Sequence, residues 1–200
     1  MKKGLLAVLL AVAMVVPAFA AKGDMSVNAK LGLGVDAIAT TSYDGMGDMA
    51  YSYKTDMPFM LGAEFFYGTS DMFSVGFGAT YVFNSSADMG GTKIKGGTTN
   101  IYVAVKPEFK IESDIFSNVY LLGQFGLAMG RAEIDESGAP SLDVDSGIYL
   151  GAGIGATVKD AFLVELLFSS SNGEANMEGG YSIDLRYSIV SINVGYKFAL

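Results

Sequence analysis

Neither histidine nor cysteine occurs among the 200 residues. The two side chains that most readily serve as base or thiolate near neutral pH are therefore missing. Serine-type hydrolysis relies on a histidine base, and no serine stands in a nucleophile elbow or a recognisable lysine dyad. The sequence points away from an enzyme. Gly151-Ala152-Gly153-Ile154-Gly155 resembles a phosphate-binding glycine run only in composition. It lacks the spacing and the following helix that would hold a phosphate, and close packing explains it better. Glu133, Asp135, Glu136, Asp143 and Asp145 crowd one polar segment, and Asp143-Val144-Asp145-Ser146-Gly147 hints at a calcium loop. Its glycine falls at the wrong position and the closing glutamate is absent, so solvated charge is the reading. Asp-Met pairs recur at 24–25, 48–49, 56–57, 71–72 and 88–89. Thioethers can ligate Cu(I), but these pairs are scattered along the chain. No metal or cofactor is expected. The charges with the clearest pattern are Lys30, Lys106, Lys110 and Lys197 against Asp36, Glu64, Glu108 and Glu165. Each sits on the small-residue side of an alternating stretch. Such charges either pair in a closed core or line a narrow conducting path.

The elements that position them alternate with period two, the signature of β-strands with one apolar face. Val27, Ala29, Leu31, Leu33, Val35 and Ala37 oppose Asn28, Lys30, Gly32, Gly34 and Asp36. The next stretch sets Phe59, Leu61, Ala63, Phe65 and Tyr67 against Met60, Gly62, Glu64 and Phe66. Residues 73–83 follow the same rule, as do 100–111, 119–129, 148–158, 162–168 and 187–200. Pro107 removes a ladder donor, which suggests a bulge or weak pairing there. Eight strands result, each about the nine to eleven residues that a tilted membrane strand needs. Their connections alternate between long polar segments (40–58, 84–98, 131–146 and 169–181) and short turns (68–71, 112–117 and 159–160).

The N-terminus indicates export. Lys2 and Lys3 precede an apolar stretch, and Ala18-Phe19-Ala20 forms an A-x-A cleavage pattern, so 1–20 reads as a signal peptide and 21–200 as one barrel domain. No other run reaches the ~18 apolar residues of a spanning helix. A chain with 50% hydrophobic residues and mean hydropathy +0.36 must then store its apolar surface in strands. Removing Lys2 and Lys3 leaves 11 of the 13 basic residues against 21 acidic ones, moving the net charge from -8 to -10. That acidity leaves no footprint for nucleic acid. Without cysteine, no disulfide holds the exported domain together.

Volume decides which face points inward. An eight-stranded barrel has an interior only just wide enough to be filled by side chains, and the apolar faces carry too many Phe, Tyr, Leu and Ile to fit there. The opposite faces, rich in Gly, Ala and Ser, suit a narrow lumen. Aromatics gather near the turn ends (Phe65, Tyr67, Phe73, Phe109, Phe162, Tyr196, Phe198) and near the loop ends (Phe59, Tyr81, Phe83, Phe168), as two membrane interfaces require. The expected fold is all-β, an eight-stranded antiparallel up-and-down transmembrane β-barrel. The lumen charges predicted to pair across its turn-side half are Lys30, Glu64, Lys106, Glu108 and Glu165.

The last strand is the most specific segment. Asn193, Gly195, Phe198 and Leu200 are spaced so that it resembles the C-terminal signal by which bacterial outer-membrane barrels are recognised for insertion. With the signal peptide and eight strands, the chain resembles the small outer-membrane barrel families, the transmembrane domain of outer membrane protein A and the opacity-type adhesins. That resemblance implies outer-membrane lipid and the barrel-assembly machinery as partners, and an extracellular ligand of unspecified nature. No strand or domain is expected after residue 200, and so no peptidoglycan-binding domain. The functional expectation is a structural or surface-interacting barrel plugged by paired charges. The alternative is a narrow porin for small solutes.

Overall fold

The computed structural model describes residues 23–43, 50–89, 92–134, 141–176 and 182–200. The expected signal peptide, 1–20, lies outside them. Every element among the described residues is a strand: β1 (Met25–Tyr43), β2 (Ala50–Lys54), β3 (Phe59–Ser70), β4 (Phe73–Met89), β5 (Thr92–Lys110), β6 (Phe116–Ile134), β7 (Ser141–Asp145), β8 (Gly147–Val158), β9 (Phe162–Asn176) and β10 (Ser182–Ala199). Neighbours pair antiparallel, and β10 pairs with both β9 and β1, which closes the sheet. β2 continues the wall of β3 along β1, and β7 continues that of β8 along β6 and β9. Ten strands therefore make eight walls. Closure leaves no open sheet edge in the membrane zone, which lipid demands.

Alternation holds in the walls. Phe77, Ile101, Leu121, Leu150, Phe168 and Val194 are exposed to the surroundings, while Asn28, Glu64, Tyr102, Gln124, Glu165 and Ser191 are buried in the lumen. The outer aromatics meet in pairs at both ends. Phe59–Phe83 and Tyr81–Phe83 lie at the loop end, with centroids 5.4 and 4.7 Å apart; Phe162–Tyr196 and Tyr196–Phe198 lie at the turn end, at 5.4 and 4.7 Å.

Two readings of the sequence need correction. The polar segments expected as loops are largely strand: β1 runs to Tyr43, β4 to Met89, β6 to Ile134 and β9 to Asn176. Backbone ladders carry these arms beyond the apolar zone, where no alternation of side chains marks them. Asp36 was expected inward and Ala37 outward. A bulge between Gly34 and Asp36 inverts the phase, so Asp36 is exposed and Ala37 is buried; an extra residue shifts all later side chains to the other face. Of the bulge or weak pairing expected at Pro107, the structure has the weak pairing. The ladder between β5 and β6 skips Lys106 and Pro107 and resumes in unchanged register at Glu108.

The short turns match their chemistry. Lys159 and Asp160 both have positive φ, 48° and 60°, the backbone of a primed turn that follows the right-handed twist of a hairpin.

Candidate functional site

The lumen is built around Lys30. Its Nζ lies 2.6 Å from Glu64 Oε1 and 2.9 Å from Glu165 Oε2, joining β1 to β3 and, across the interior, to β9. All three side chains are almost wholly buried, with relative exposures of 6%, 2% and 3%. Tyr102 Oη (3.0 Å) and Gln124 Nε2 (2.9 Å) donate to Glu64 Oε1, and Tyr120 Oη donates to Glu165 Oε1 at 2.9 Å. Tyr149 Oη donates to Gln124 Oε1 at 2.7 Å, and its ring stacks on Tyr102 with centroids 5.3 Å apart. Buried charge is tolerated only when paired and hydrogen-bonded, and here each carboxylate has both.

Glycine makes the room. Lys30 is flanked in register by Gly62 and Gly195, Glu64 by Gly78, and Glu165 by Gly155. A Cβ at Gly78 would stand 2.7 Å from Glu64 Cγ, and one at Gly155 would stand 2.5 Å from the Tyr120 ring. Real Cβ atoms do not approach so closely. Each long side chain lies across the space that its neighbour vacates, and in a lumen this narrow that lets opposite walls touch.

Below this cluster, towards the turns, Lys106 Nζ lies 3.3 Å from Glu108 Oε1 and 4.4 and 5.0 Å from the ring centroids of Phe66 and Tyr120. Glu108 also accepts from Ser74 Oγ (2.7 Å) and Asn118 Nδ2 (2.6 Å). These residues face a cavity of about 320 Å³ open at the turn end. Above the cluster lies a void of about 20 Å³ bordered by Lys30, Asn100 and Asn193, room for about one water. Ala37, Met60, Val82 and Ile189 pack together still higher, with Tyr187 against them. From the turn end the lumen is thus an open vestibule, then an ion-paired layer, then an apolar cluster on the side of β1, β3, β4 and β10.

The model of the outer membrane protein beta-barrel domain matches residues 5–198. The chain belongs to this family. No curated relative matches the chain by sequence. Among solved structures this barrel is similar to Neisserial surface protein A (18% identity, TM-score 0.52, covering 87% of this chain and 97% of that one). It is similar also to Ail, the attachment invasion locus protein of Yersinia pestis, in complex with the heparin analogue sucrose octasulfate (14%, 0.51, 89% and 100%). A third is the outer membrane protein OprG from Pseudomonas aeruginosa (17%, 0.50, 90% and 97%). At these identities the likeness is one of fold.

In an outer-membrane barrel the short turns face the periplasm and the long connections the exterior, so the vestibule opens to the periplasm. Of the residues singled out from the sequence, Lys30, Glu64 and Glu165 meet in the middle layer, and Lys106 and Glu108 meet in the vestibule floor. Lys106 Nζ over the Tyr120 ring, whose hydroxyl reaches Glu165, links the two groups. Asp36, expected inside, is exposed on the outer face, whereas Lys110 lines the vestibule at its solvent-exposed mouth. Tyr102, Tyr120, Gln124 and Tyr149 are the functional residues that charge counting missed. Their signal was present: a tyrosine or glutamine on the small-residue face of a strand brings a polar tip that needs a buried partner.

In the last strand Asn193 and Gly195 face the lumen, whereas Phe198 lies outside with Tyr196. The Leu200 amide donates to Met25 O at 3.0 Å, fastening the strand end to β1. Gly151, Gly153 and Gly155 line the lumen in β8 against Gln124, Leu167 and Tyr120. The side chains of Glu133, Asp135, Glu136 and Asp143 lie outside the described ones. Among the described residues no three metal-ligating side chains converge.

Proposed function

We propose that this outer-membrane barrel is a plugged scaffold that presents its extracellular connections to a partner, and not a conducting pore. The observation that supports this most is Lys30 bridging Glu64 and Glu165 across the lumen, with an apolar cluster above. Water meets first a buried ion triad and then, on one side of the lumen, the packed apolar side chains of Ala37, Met60, Val82 and Ile189. The arms of β1, β4, β6 and β9 beyond the apolar zone give the exposed end a rigid base, on which binding residues are best positioned. The name of Ail, an attachment protein, is in keeping with this role. Export by a signal peptide cleaved after residue 20, and recognition by the barrel-assembly machinery through Asn193, Gly195, Phe198 and Leu200, complete the proposal. Outer-membrane lipid is the surrounding partner, and nucleic acid is not one.

Crosslinking on intact cells, with a photoreactive group placed at an exposed-end position such as Tyr51 and at the turn residue Asp160 as control, tests the contact role. A discrete adduct from the first position alone is expected. Equal labelling from both ends, or none from the exposed end in the presence of its host surface, would count against it. The narrow-porin reading draws on the turn-end cavity, which brings water into that end of the lumen. It requires a path past the ion triad and the apolar cluster.

A further inference from the structure

We infer that the periplasmic vestibule is a binding site for a small oxyanion. Lys106 on β5 and Lys197 on β10 stand on opposite sides of the barrel and both line the 320 Å³ cavity. Both ammonium groups thus belong to the lining of one space. Lys110 joins them nearer the mouth. Of the carboxylates among the described residues that line the cavity, Asp24, Asp71 and Glu108, the one ion-paired with Lys106 is Glu108. Its oxygens already accept from Ser74, Asn118 and Lys106, so it has little capacity left for a second cation. Lys197 and Lys110 form no ion pair among the described residues. Asn118 Oδ1 is buried there without a donor, although its amide nitrogen is committed to Glu108.

Two like charges facing one cavity repel unless an anion or water screens them, and low-dielectric walls sharpen both effects. The cavity has room for roughly ten waters at ~30 Å³ each, enough for a phosphate or carboxylate with part of its hydration. An oxyanion between the lysines would accept from both ammonium groups, and a protonated oxygen could donate to Asn118 Oδ1. Asp24 and Asp71 are exposed at the mouth, where solvent and salt screen them more than the buried lysine. The ion-paired layer above makes the vestibule a dead end, so occupancy here is binding and not passage.

The test titrates inorganic phosphate into the full barrel in non-ionic detergent at constant ionic strength, followed by phosphorus NMR line width. Saturable broadening is expected. Lys197→Gln should weaken it by about tenfold or more, the scale of losing one partly buried charge contact. Lys197→Arg should retain it, and Lys159→Gln, a turn lysine outside the cavity, should leave it unchanged. As a second readout, phosphate should slow acylation of Lys197 in the wild-type protein and leave Lys159 unaffected. Absence of saturation, equal affinity in Lys197→Gln, or protection of neither lysine would overturn the assignment. Repeating the titration in phosphatidylglycerol nanodiscs identifies the source of the oxyanion. Unchanged binding indicates a soluble solute, and loss of binding indicates a lipid headgroup already in the cavity.

Discussion

Lys30→Met should destabilise the barrel more than Glu64→Gln, although each removes one partner of the same ion pair. The triad holds two carboxylates and one ammonium. Removing Lys30 leaves Glu64 and Glu165 buried without a cation, and stripping a buried pair of one partner costs about 3–5 kcal/mol. The tyrosine and glutamine hydrogen bonds remain and moderate that loss, yet none carries a full charge. Removing the Glu64 charge leaves Lys30 paired with Glu165 at 2.9 Å, an electrically balanced pair. The amide still offers Lys30, Tyr102 and Gln124 an oxygen, so the loss falls to the charge-assisted part of those bonds, about 1–3 kcal/mol. Converting Lys30, Glu64 and Glu165 together to Met, Gln and Gln should recover much of the Lys30→Met deficit, because a buried ionic cluster removed whole is often nearly neutral. The assay is urea unfolding in lipid vesicles, followed by the fraction of protein that runs as the compact form on unheated gels. A larger loss for Glu64→Gln than for Lys30→Met, or no loss for either, would refute the reasoning that these groups are dry and mutually dependent.

Gly155→Ala should lower stability by about 1–3 kcal/mol through overpacking against the Tyr120 ring, whereas Gly130→Ala, whose Cβ would meet Val144 at an ordinary 3.5 Å, should be near neutral in the same assay. Replacing Lys159-Asp160 by Asn-Gly should stabilise by about 1 kcal/mol, since both positions need positive φ and this pair adopts it readily; an unchanged urea midpoint would contradict the turn assignment. Deleting residues 196–200 removes Tyr196 and Phe198 from the turn-side aromatics and should abolish assembly, read as loss of the compact gel form from outer-membrane fractions. Protease added to intact cells should spare the turns at 68–71 and 159–160, and cleavage there would invert the topology.

The wall strands were legible because lipid on one side and a packed lumen on the other impose strict alternation, as in residues 119–129. The upper arms were not, because outside the membrane the ladder alone sustains a strand and the side chains are free of that constraint. The inversion at Asp36 depends on a single extra residue in β1, and neither side of Val35 signals it. The Lys106–Glu108 contact could be read locally, since residues two apart on a strand share a face. Lys30 and Glu165 could be assigned to one group of lumen charges, but not to direct contact with each other. That contact depends on how the registers of β1, β10 and β9 add around the barrel, which sets the height at which distant strands face one another. The glycines beside each charge were visible in the sequence, but their role as clearance for Lys30, Glu64 and Glu165 needed the register.

Single-channel recording of the purified wild-type barrel in planar bilayers bears most directly on the plugged lumen. The account predicts no steady unitary conductance from the wild-type protein, with openings appearing in Lys30→Met, whose facing carboxylates repel and admit water. A wild-type barrel that conducts steadily at a level unaltered by Lys30→Met would show that solutes bypass the triad, and the scaffold reading would give way to the narrow porin.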